Sequence, residues 1–368
     1  MRAHRHKQPL PKTHLFEEDV MNMMAARLYG KNDLRVEQMP VPEIGDDEIL
    51  LKVKAAAICG TDLRMLSNGV AWIDELHPLV LCHEFAGIIE QVGANVPGYG
   101  VGQRVSVATN IGCGICNRCV SGKSHHCVDN AALGINIDGG FAEYVRIPAT
   151  AVRLGNVTLL GDNVSYEAAA ANEAFSCAYS SFERYRVTPG DTVVIIGAGA
   201  IGLMHASLAK MAGAGKVIMN DLSQARLNEC SRIMPWLIPA REKLAEVVEK
   251  ETDGAMADVV ITACSAAQAQ QAAFSLAGLD ARVNFFGGLP RGKEIVELDT
   301  NQIHYKQLQV SGTTRASHFH YRQTLRFISV GVIDLDPLIT HRYPLAKIGE
   351  AFDNTAKTIG LKQAILFE

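Results

Sequence analysis

Short bursts of alternating apolar and polar residues open the chain. Residues 24–58 carry Arg35-Val36-Glu37 and Ile49-Leu50-Leu51-Lys52-Val53-Lys54, separated by Pro40, Pro42 and Gly45, which reads as strand, turn, strand. Similar bursts follow at 86–92, 104–108 and 141–147, each bounded by glycine or proline, with Gly139-Gly140 as a tight turn. The first 150 residues therefore predict an irregular, mostly β domain. From about Tyr166 the texture changes. An alanine-rich helix gives way to strands at 192–196, 216–220, 257–263, 281–286 and 307–312, with helices at 200–211, 224–233 and 266–277. Such alternation predicts a parallel sheet with crossover helices. Residues 313–368 lose the alternation and are expected to return to the first domain.

Composition narrows the classes. A length of 368 residues corresponds to two or three domains at roughly 150 residues each. The 35 basic and 39 acidic residues leave a net charge of −4, without the one-signed excess of a nucleic-acid or membrane-surface binder. Hydrophobic residues at 48% and charged residues at 20% supply a sizeable core and give no case for general disorder. The longest nearly uninterrupted apolar run, 193–204, is 12 residues with three glycines, too short to cross a membrane. The first 14 residues carry Arg2, Arg5, Lys7 and Lys12 and no acid, but Pro9 and Pro11 break any amphipathic helix, so residues 1–23 are expected to be a disordered extension. A long chain with nine cysteines and no disulfide-scaffold pattern points to a reducing cytoplasm.

Thr192-Val-Val-Ile-Ile196 feeds directly into Gly197-Ala-Gly199-Ala-Ile-Gly202 at the start of a helix. Strand, GxGxxG turn and helix in that order form a dinucleotide-binding fingerprint. The first glycine makes the turn, the second lets backbone amides approach a pyrophosphate, and the third lets helix pack on strand. The helix N-terminus at Ala200, Ile201 and Gly202 then offers unpaired donors to the anion. Asp221 closes the next strand, 19 residues after Gly202, where a carboxylate accepts hydrogen bonds from the adenosine ribose and repels a 2′-phosphate, favouring NAD over NADP. Three glycines in a ligand-free turn are the alternative. Arg226 fits either a place beside the adenine or a solvated helix surface.

Cys113, Cys116, Cys119 and Cys127 fall within 15 residues, spaced C-x2-C-x2-C-x7-C. Four thiolates this close suit a closed tetrahedral zinc site, which organises a loop (about 110–130) and leaves no position for chemistry. An iron–sulfur site would expect a last gap of three followed by proline, and here the gap is seven and Val128 follows. His125 and His126 are read as lobe surface rather than ligands.

Cys59-Gly-Thr61-Asp62 follows one strand, and His83-Glu84 follows the apolar run 78–82. Read singly, Cys59 fits a small core residue, and the His-Glu pair a surface, more readily than a metal site. Glu173 lies in Ala168-Ala-Ala-Ala-Asn-Glu173-Ala-Phe, where a buried carboxylate needs a metal or an arginine. With Gly139-Gly-Phe-Ala-Glu-Tyr144, the four-cysteine lobe and the fingerprint, these segments run in one order from about Met24 to the C-terminus. In that order they resemble the zinc-dependent medium-chain dehydrogenase family. Within it the chain is most similar to the polyol (sorbitol or iditol) dehydrogenases and their threonine and sugar-phosphate relatives, because Glu173 is acidic where simple alcohol dehydrogenases have a cysteine ligand.

The resemblance implies an α/β fold with a GroES-like, mostly β catalytic domain over 24–172 and 313–368 and a Rossmann, doubly wound parallel-sheet nucleotide domain over 173–312. It implies two zinc ions per chain, one structural and one catalytic. The catalytic ion would be held by Cys59, His83 and Glu84, with Glu173 bound directly or through water. Asp62 would orient His83. Arg315, after the last strand of the nucleotide domain, would pair with Glu173 and stand beside the substrate hydroxyls. The expected reaction is reversible, NAD-linked oxidation of a secondary alcohol of a polyol to a ketone, with Thr61 accepting the alcohol proton. Threonine, a sugar phosphate bound through a basic cluster at the cleft, and a non-catalytic NAD-binding redox sensor are the competing readings. The family suggests a homo-oligomer, dimer or tetramer. Two positions depart from the pattern: Cys82 stands where a glycine is usual, and Arg64 where relatives commonly carry a proton-exporting histidine. Trp72 and Phe141 are candidate pocket walls, and His318 and His320 are expected at the surface.

Overall fold

The computed structural model describes residues 21–368, so the first 20 residues of the expected extension lie outside the described residues. Asn22 and Met23, also assigned to that extension, instead begin the strand Asn22–Gly30. This strand pairs antiparallel with Asp33–Pro40 and Leu79–Val80, and the pairing draws Met23 into the core.

Seven strands form the main sheet of the first domain. Its order is Val157–Leu159, Arg104–Val107, Phe85–Val92, Ile49–Ala57, Lys362–Leu366 and Ile339–Pro344, with Tyr144–Ile147 also joining Ile49–Ala57. Ile49–Ala57 is covered on both faces, so it is buried almost continuously rather than in alternation. The C-terminal strand Lys362–Leu366 lies antiparallel beside it, which brings the chain end back into the first domain.

The middle of the chain builds a six-stranded, all-parallel sheet in the order Ile238–Ala240, Lys216–Asn220, Thr192–Ile196, Ala257–Thr262, Ala277–Phe285, Gln309–Gly312. The strand order reverses at Thr192–Ile196, which makes the crevice beyond its carboxyl end the switch point where doubly wound sheets bind ligands. Two edges of the sequence reading move. Ala277–Phe285 begins earlier than expected, and Gln309–Gly312 later, because Gln307 ends the unforeseen helix Thr300–Lys306 in a left-handed conformation (φ +54°).

One helix joins the two halves. Tyr166–Tyr185 is capped by Ser165, whose hydroxyl accepts from the Ala168 amide at 2.9 Å. Its run Ala168 to Ala171 presents only methyl groups, so the helix approaches Ile49–Ala57 and Phe85–Val92 closely at one end. Further along it packs on the helices Ala200–Met211 and His318–Ser329. The 172/173 boundary falls inside this continuous helix. Among the described residues no helix is long and apolar enough to cross a membrane.

Candidate active site

Sheet register assembles the first donors. Ala56 pairs with Phe85 across the central strands, so Cys59, just beyond one strand, lies beside His83 and Glu84, just before the other. The sulfur, an imidazole nitrogen and a carboxylate oxygen of these three residues lie within 4.8 Å of one another. That donor set fits a zinc ion with three protein ligands and one open position. Glu173, on the long helix, is buried beside the group but stands outside that set. Asp62 is fully buried; one carboxylate oxygen accepts from the Cys59 amide at 2.8 Å and the other lies 3.6 Å from His83 Nδ1, where it can orient the ring.

Negative charge is in surplus here. Burial raises the carboxyl pKa of Asp62, Glu84 and Glu173, with His83 opposing in each case. Burial disfavours the His83 imidazolium, yet Cys59 and Asp62 outweigh it and hold the ring's pKa well above its ordinary value. A group of thiol and carboxylates in this state calls for a cation. One is supplied by Lys362, a residue the sequence reading missed: its ammonium sits 2.5 and 2.7 Å from the two Glu84 oxygens, almost fully buried. The signal was present as a lysine opening the apolar strand Lys362-Gln-Ala-Ile-Leu.

The Arg315–Glu173 pair does not form. Arg315 adopts a left-handed turn (φ +59°), is exposed, and donates to Asn130 Oδ1 at 3.3 Å. Glu173 is approached instead by Cys177, one helical turn on, whose sulfur lies 3.6 Å from Glu173 Oε1, and the cations acting on the carboxylate are His83 and Lys362. An i, i+4 reading of the helix would have found Cys177. Thr61 accepts a 2.9 Å hydrogen bond from Arg64 Nη2. Of the two candidate pocket walls, Phe141 is core, edge-on to Phe352 at 5.9 Å, and Trp72 is exposed.

Cys82 occupies the conformation its usual glycine would supply, with φ +83°. Its backbone is pinned from outside: a Cβ on Gly134 would stand 2.1 Å from the Cys82 carbonyl oxygen, so only glycine lets the strand-like segment after the lobe touch the turn before His83.

The lobe is closed at its neck by a two-residue ladder between Asn110–Ile111 and Ala131–Ala132, which sets Cys113 near Cys127. All four sulfurs lie within 4.8 Å of one another, with Cys113–Cys119 at 4.0 Å and Cys116–Cys127 at 3.8 Å. A tetrahedron with Zn–S bonds of about 2.3 Å has edges of about 3.8 Å, so the cluster fits zinc. Backbone amides of Ile115 and Cys116 bring the Cys113 thiol down to about 7, while burial pushes Cys119 up to about 12. The neighbouring histidines are not in the cluster, but His125 is buried rather than at the surface, its ring 4.0 Å from that of His126 at a 42° tilt and edge-on to His320 at 5.8 Å. His320 is likewise buried, 3.0 Å from Glu183, and His318 is half-buried against Ser124, because the helix His318–Ser329 packs on the lobe and the long helix instead of lying free.

In the fingerprint, Gly197 has φ +120°, and a Cβ on Gly202 would meet the Gly197 carbonyl at 2.0 Å. The helix Ala200–Met211 starts at Gly199 without a side-chain cap, which leaves the first-turn amides of Ala200, Ile201 and Gly202 for an anion. Asp221 accepts from the Ala198 amide at 2.9 Å and the Ser223 amide at 2.8 Å, one bond to each oxygen, so the carboxylate is held at the turn's edge with lone pairs to spare. Arg226 is half-buried and its Nη1 lies 3.8 Å from where a Gly199 side chain would begin, so it covers the turn rather than extending into water.

Comparison with known proteins agrees with this geometry. The alcohol dehydrogenase GroES-like domain matches residues 45–156, and the zinc-binding dehydrogenase domain matches residues 200–330. A sorbitol dehydrogenase of Bombyx mori is 35% identical over 336 residues, 89% of this chain and 94% of that one. An L-threonine 3-dehydrogenase of Bacillus subtilis (strain 168) is 35% identical over 321 residues, 86% and 90% of the two chains. Among solved structures, a zinc-binding dehydrogenase of Sinorhizobium meliloti 1021 bound to NADP superposes with a TM-score of 0.85 at 29% identity, covering 94% of this chain and all of that one. With aligned folds, a matching domain order and full-length similarity, the chain belongs to the zinc-dependent medium-chain dehydrogenase family.

Proposed function

We propose that the protein catalyses reversible, NAD-linked oxidation of a secondary alcohol of a polyol to a ketone. The observation that carries this reading is the convergence of Cys59, His83 and Glu84 within 4.8 Å beside the buried Glu173, in a chain that also holds the dinucleotide fingerprint. Bound zinc would supply Lewis acidity at its open position, and the nicotinamide would accept the hydride. The chain's own groups hold and orient. Cys59, His83 and Glu84 present the ligand atoms, with Asp62 behind His83 and Lys362 behind Glu84. Thr61 Oγ, two residues from Cys59, accepts the substrate's proton, and the guanidinium of Arg64 fixes the direction of its lone pairs. Because Arg64 has no acceptor, it cannot take the proton on from Thr61, and the proton's exit does not run through the side chain at this position. The Asp221 carboxylate, held by two amides, would accept from the adenosine ribose hydroxyls of a bound NAD and would disfavour a 2′-phosphate. Gly197, Gly199 and Gly202 shape the pyrophosphate turn, and Arg226 covers it.

In this reading the catalytic domain comprises 22–172 and 313–368, the enzyme is a homo-oligomer, and its thiols work in a reducing cytoplasm. A 3-hydroxy amino acid is the second reading, supported by the threonine dehydrogenase relative. A panel of polyols, polyol phosphates, threonine and simple alcohols, followed by NADH absorbance, decides between them. Turnover with threonine alone overturns the polyol reading, and equal use of NADP overturns the role given to Asp221.

A further inference from the structure

The buried Glu173 carboxylate has no cation bonded to it. Lys362 spends its ammonium on the two Glu84 oxygens, His83 turns Nδ1 toward Asp62 at 3.6 Å, and Arg315 is bonded to Asn130. Among the described residues, only Cys177 donates a hydrogen bond to the Glu173 side chain, its sulfur 3.6 Å from Oε1. Cys177 stands at i+4 on the same helix. Helical side chains lean toward the N-terminus, so its sulfur reaches back over the turn that carries Glu173. The neighbouring Ser176 instead donates to the Glu173 backbone carbonyl at 2.6 Å, a common bond of a helical serine. The thiol is directed at the carboxylate itself.

Accessibility marks the same turn. From Ala168 to Ala178 every residue of the helix is buried except Cys177, which is half-buried. An opening therefore reaches this helix one turn from the carboxylate, and the carboxylate stands beside His83 and Glu84, whose charges act on it. A carboxylate is itself a good zinc ligand, and a catalytic ion needs three protein ligands and one open position. Cys59, His83 and Glu84 already supply three, and Glu173 stays outside their 4.8 Å set. A fourth protein ligand here would close the site to substrate.

We propose that Cys177 is a positioning residue: its thiol holds the Glu173 carboxylate back from the ligand atoms of Cys59, His83 and Glu84, so that the fourth coordination position is left for substrate. The inference rests on the proposed catalytic metal centre and deepens it. With no guanidinium at Glu173, the thiol is the group that directs the carboxylate. A hydrogen bond from a neutral donor suits that task, because it fixes an oxygen without removing its negative charge.

The test uses the full chain loaded with cobalt, whose visible bands follow the number and kind of its ligands, and imidazole as the probe of the open position, without alcohol or cofactor. Parent and Glu173→Gln are expected to share one spectrum. In Cys177→Ala and in Cys177→Val, which fills the volume without a donor, the bands should shift and imidazole should bind about fivefold more weakly, the scale of one modest hydrogen bond. The double variant Cys177→Ala/Glu173→Gln should recover both the spectrum and the affinity, which a merely structural role of the thiol would not produce. Parent-like spectra and affinities in both Cys177 variants overturn the inference and leave the metal centre standing. Loss of sulfur-to-cobalt charge-transfer intensity on removing Cys177 also overturns it, by making the thiol a ligand. If the bands that respond to imidazole survive Cys59→Ala, the metal centre is misplaced and the inference falls with it. A substrate panel in which no polyol is oxidised defeats polyol oxidation alone, since the titration contains no alcohol.

Discussion

The two cysteine-bearing sites differ in how their donors come together. In the lobe, four sulfurs arrive from one stretch of 15 residues closed by a two-residue ladder, and two of the cysteines, Cys113 and Cys116, remain partly exposed. In the second site, donors come from positions 59, 83 and 84, with the Glu173 carboxyl beside them and a counter-charge from 362, all brought together by sheet register and one helix. A local donor set lets a metal organise its own loop. A dispersed one requires that the fold place buried charges before any ion arrives. Exchanging the two cysteine types gives the largest expected effect. Cys59→Ala should lower turnover about ten-thousand-fold, some 5 kcal/mol of barrier, while elemental analysis still finds one zinc per chain. Cys116→Ala should lose the other zinc and open the segment 110–132 to protease. A Cys59→Ala protein that turns over within tenfold of the parent would remove the chemical distinction between the sites.

Lys362 tests whether the dispersed site depends on its counter-charge. Lys362→Met keeps an unbranched side chain, one atom shorter, and leaves Glu84 buried without a cation, which costs about 3 to 5 kcal/mol when a buried pair is broken from one side. Urea unfolding of the metal-stripped protein should show that loss. A change below about 1 kcal/mol would mean that Glu84 protonates or finds water at little cost, and that the fold does not hold the site ready.

The same contrast explains what could be read from the chain. The lobe and the glycine turn were legible because each is a short pattern whose geometry is local: cysteine spacing in one, strand–turn–helix in the other. Cys59 and His83-Glu84 were ambiguous as separate segments and gained meaning from their order. Lys362 and Cys177 escaped notice because their roles arise from pairing across 278 residues and from helix phase. Arg315 was placed correctly along the chain and wrongly in space, since a left-handed turn after Gly312 is invisible to periodicity. His125 and His320 were expected at the surface, but the lobe and the helix His318–Ser329 bury them against each other.

Two buried imidazoles sharpen the contrast at smaller scale. His83 lies among anionic groups and its pKa is raised, whereas His205, on the fingerprint helix, has only Tyr185 as partner and burial pushes it down to about 3. In the unfolded chain His205 titrates near 6.5. The unfolded state therefore takes up a proton first as pH falls, and stability drops from about 6.5 toward 3. Between pH 7.5 and 5.5 this single group should remove about 1.4 kcal/mol. Guanidinium midpoints at the two pH values, in the parent and in His205→Gln, measure it. The parent's excess loss on acidification should shrink by that amount, and an unchanged slope would show that His205 takes up its proton in the fold.

The smallest effect belongs to Cys82, which stands next to the dispersed site and yet contributes no ligand atom to it. Its thiol is fully buried and burial pushes it well above its ordinary pKa, so it should react slowly with thiol reagents despite its neighbours. Its backbone, at φ +83°, carries a strain of about 1 to 2 kcal/mol for any residue with a Cβ. Cys82→Gly relieves that strain but gives up a buried methylene and thiol of about 1 kcal/mol and adds unfolded-state entropy of similar size. The terms nearly cancel, and stability should stay within about 1 kcal/mol of the parent. Cys82→Val keeps the left-handed backbone and adds a β-branch, so it should fall at least about 2 kcal/mol below the glycine variant. Equal stabilities for the two would show that the turn before His83 can relax out of the left-handed region. Gly134 would then not be needed to let its own backbone pass so close to the Cys82 carbonyl.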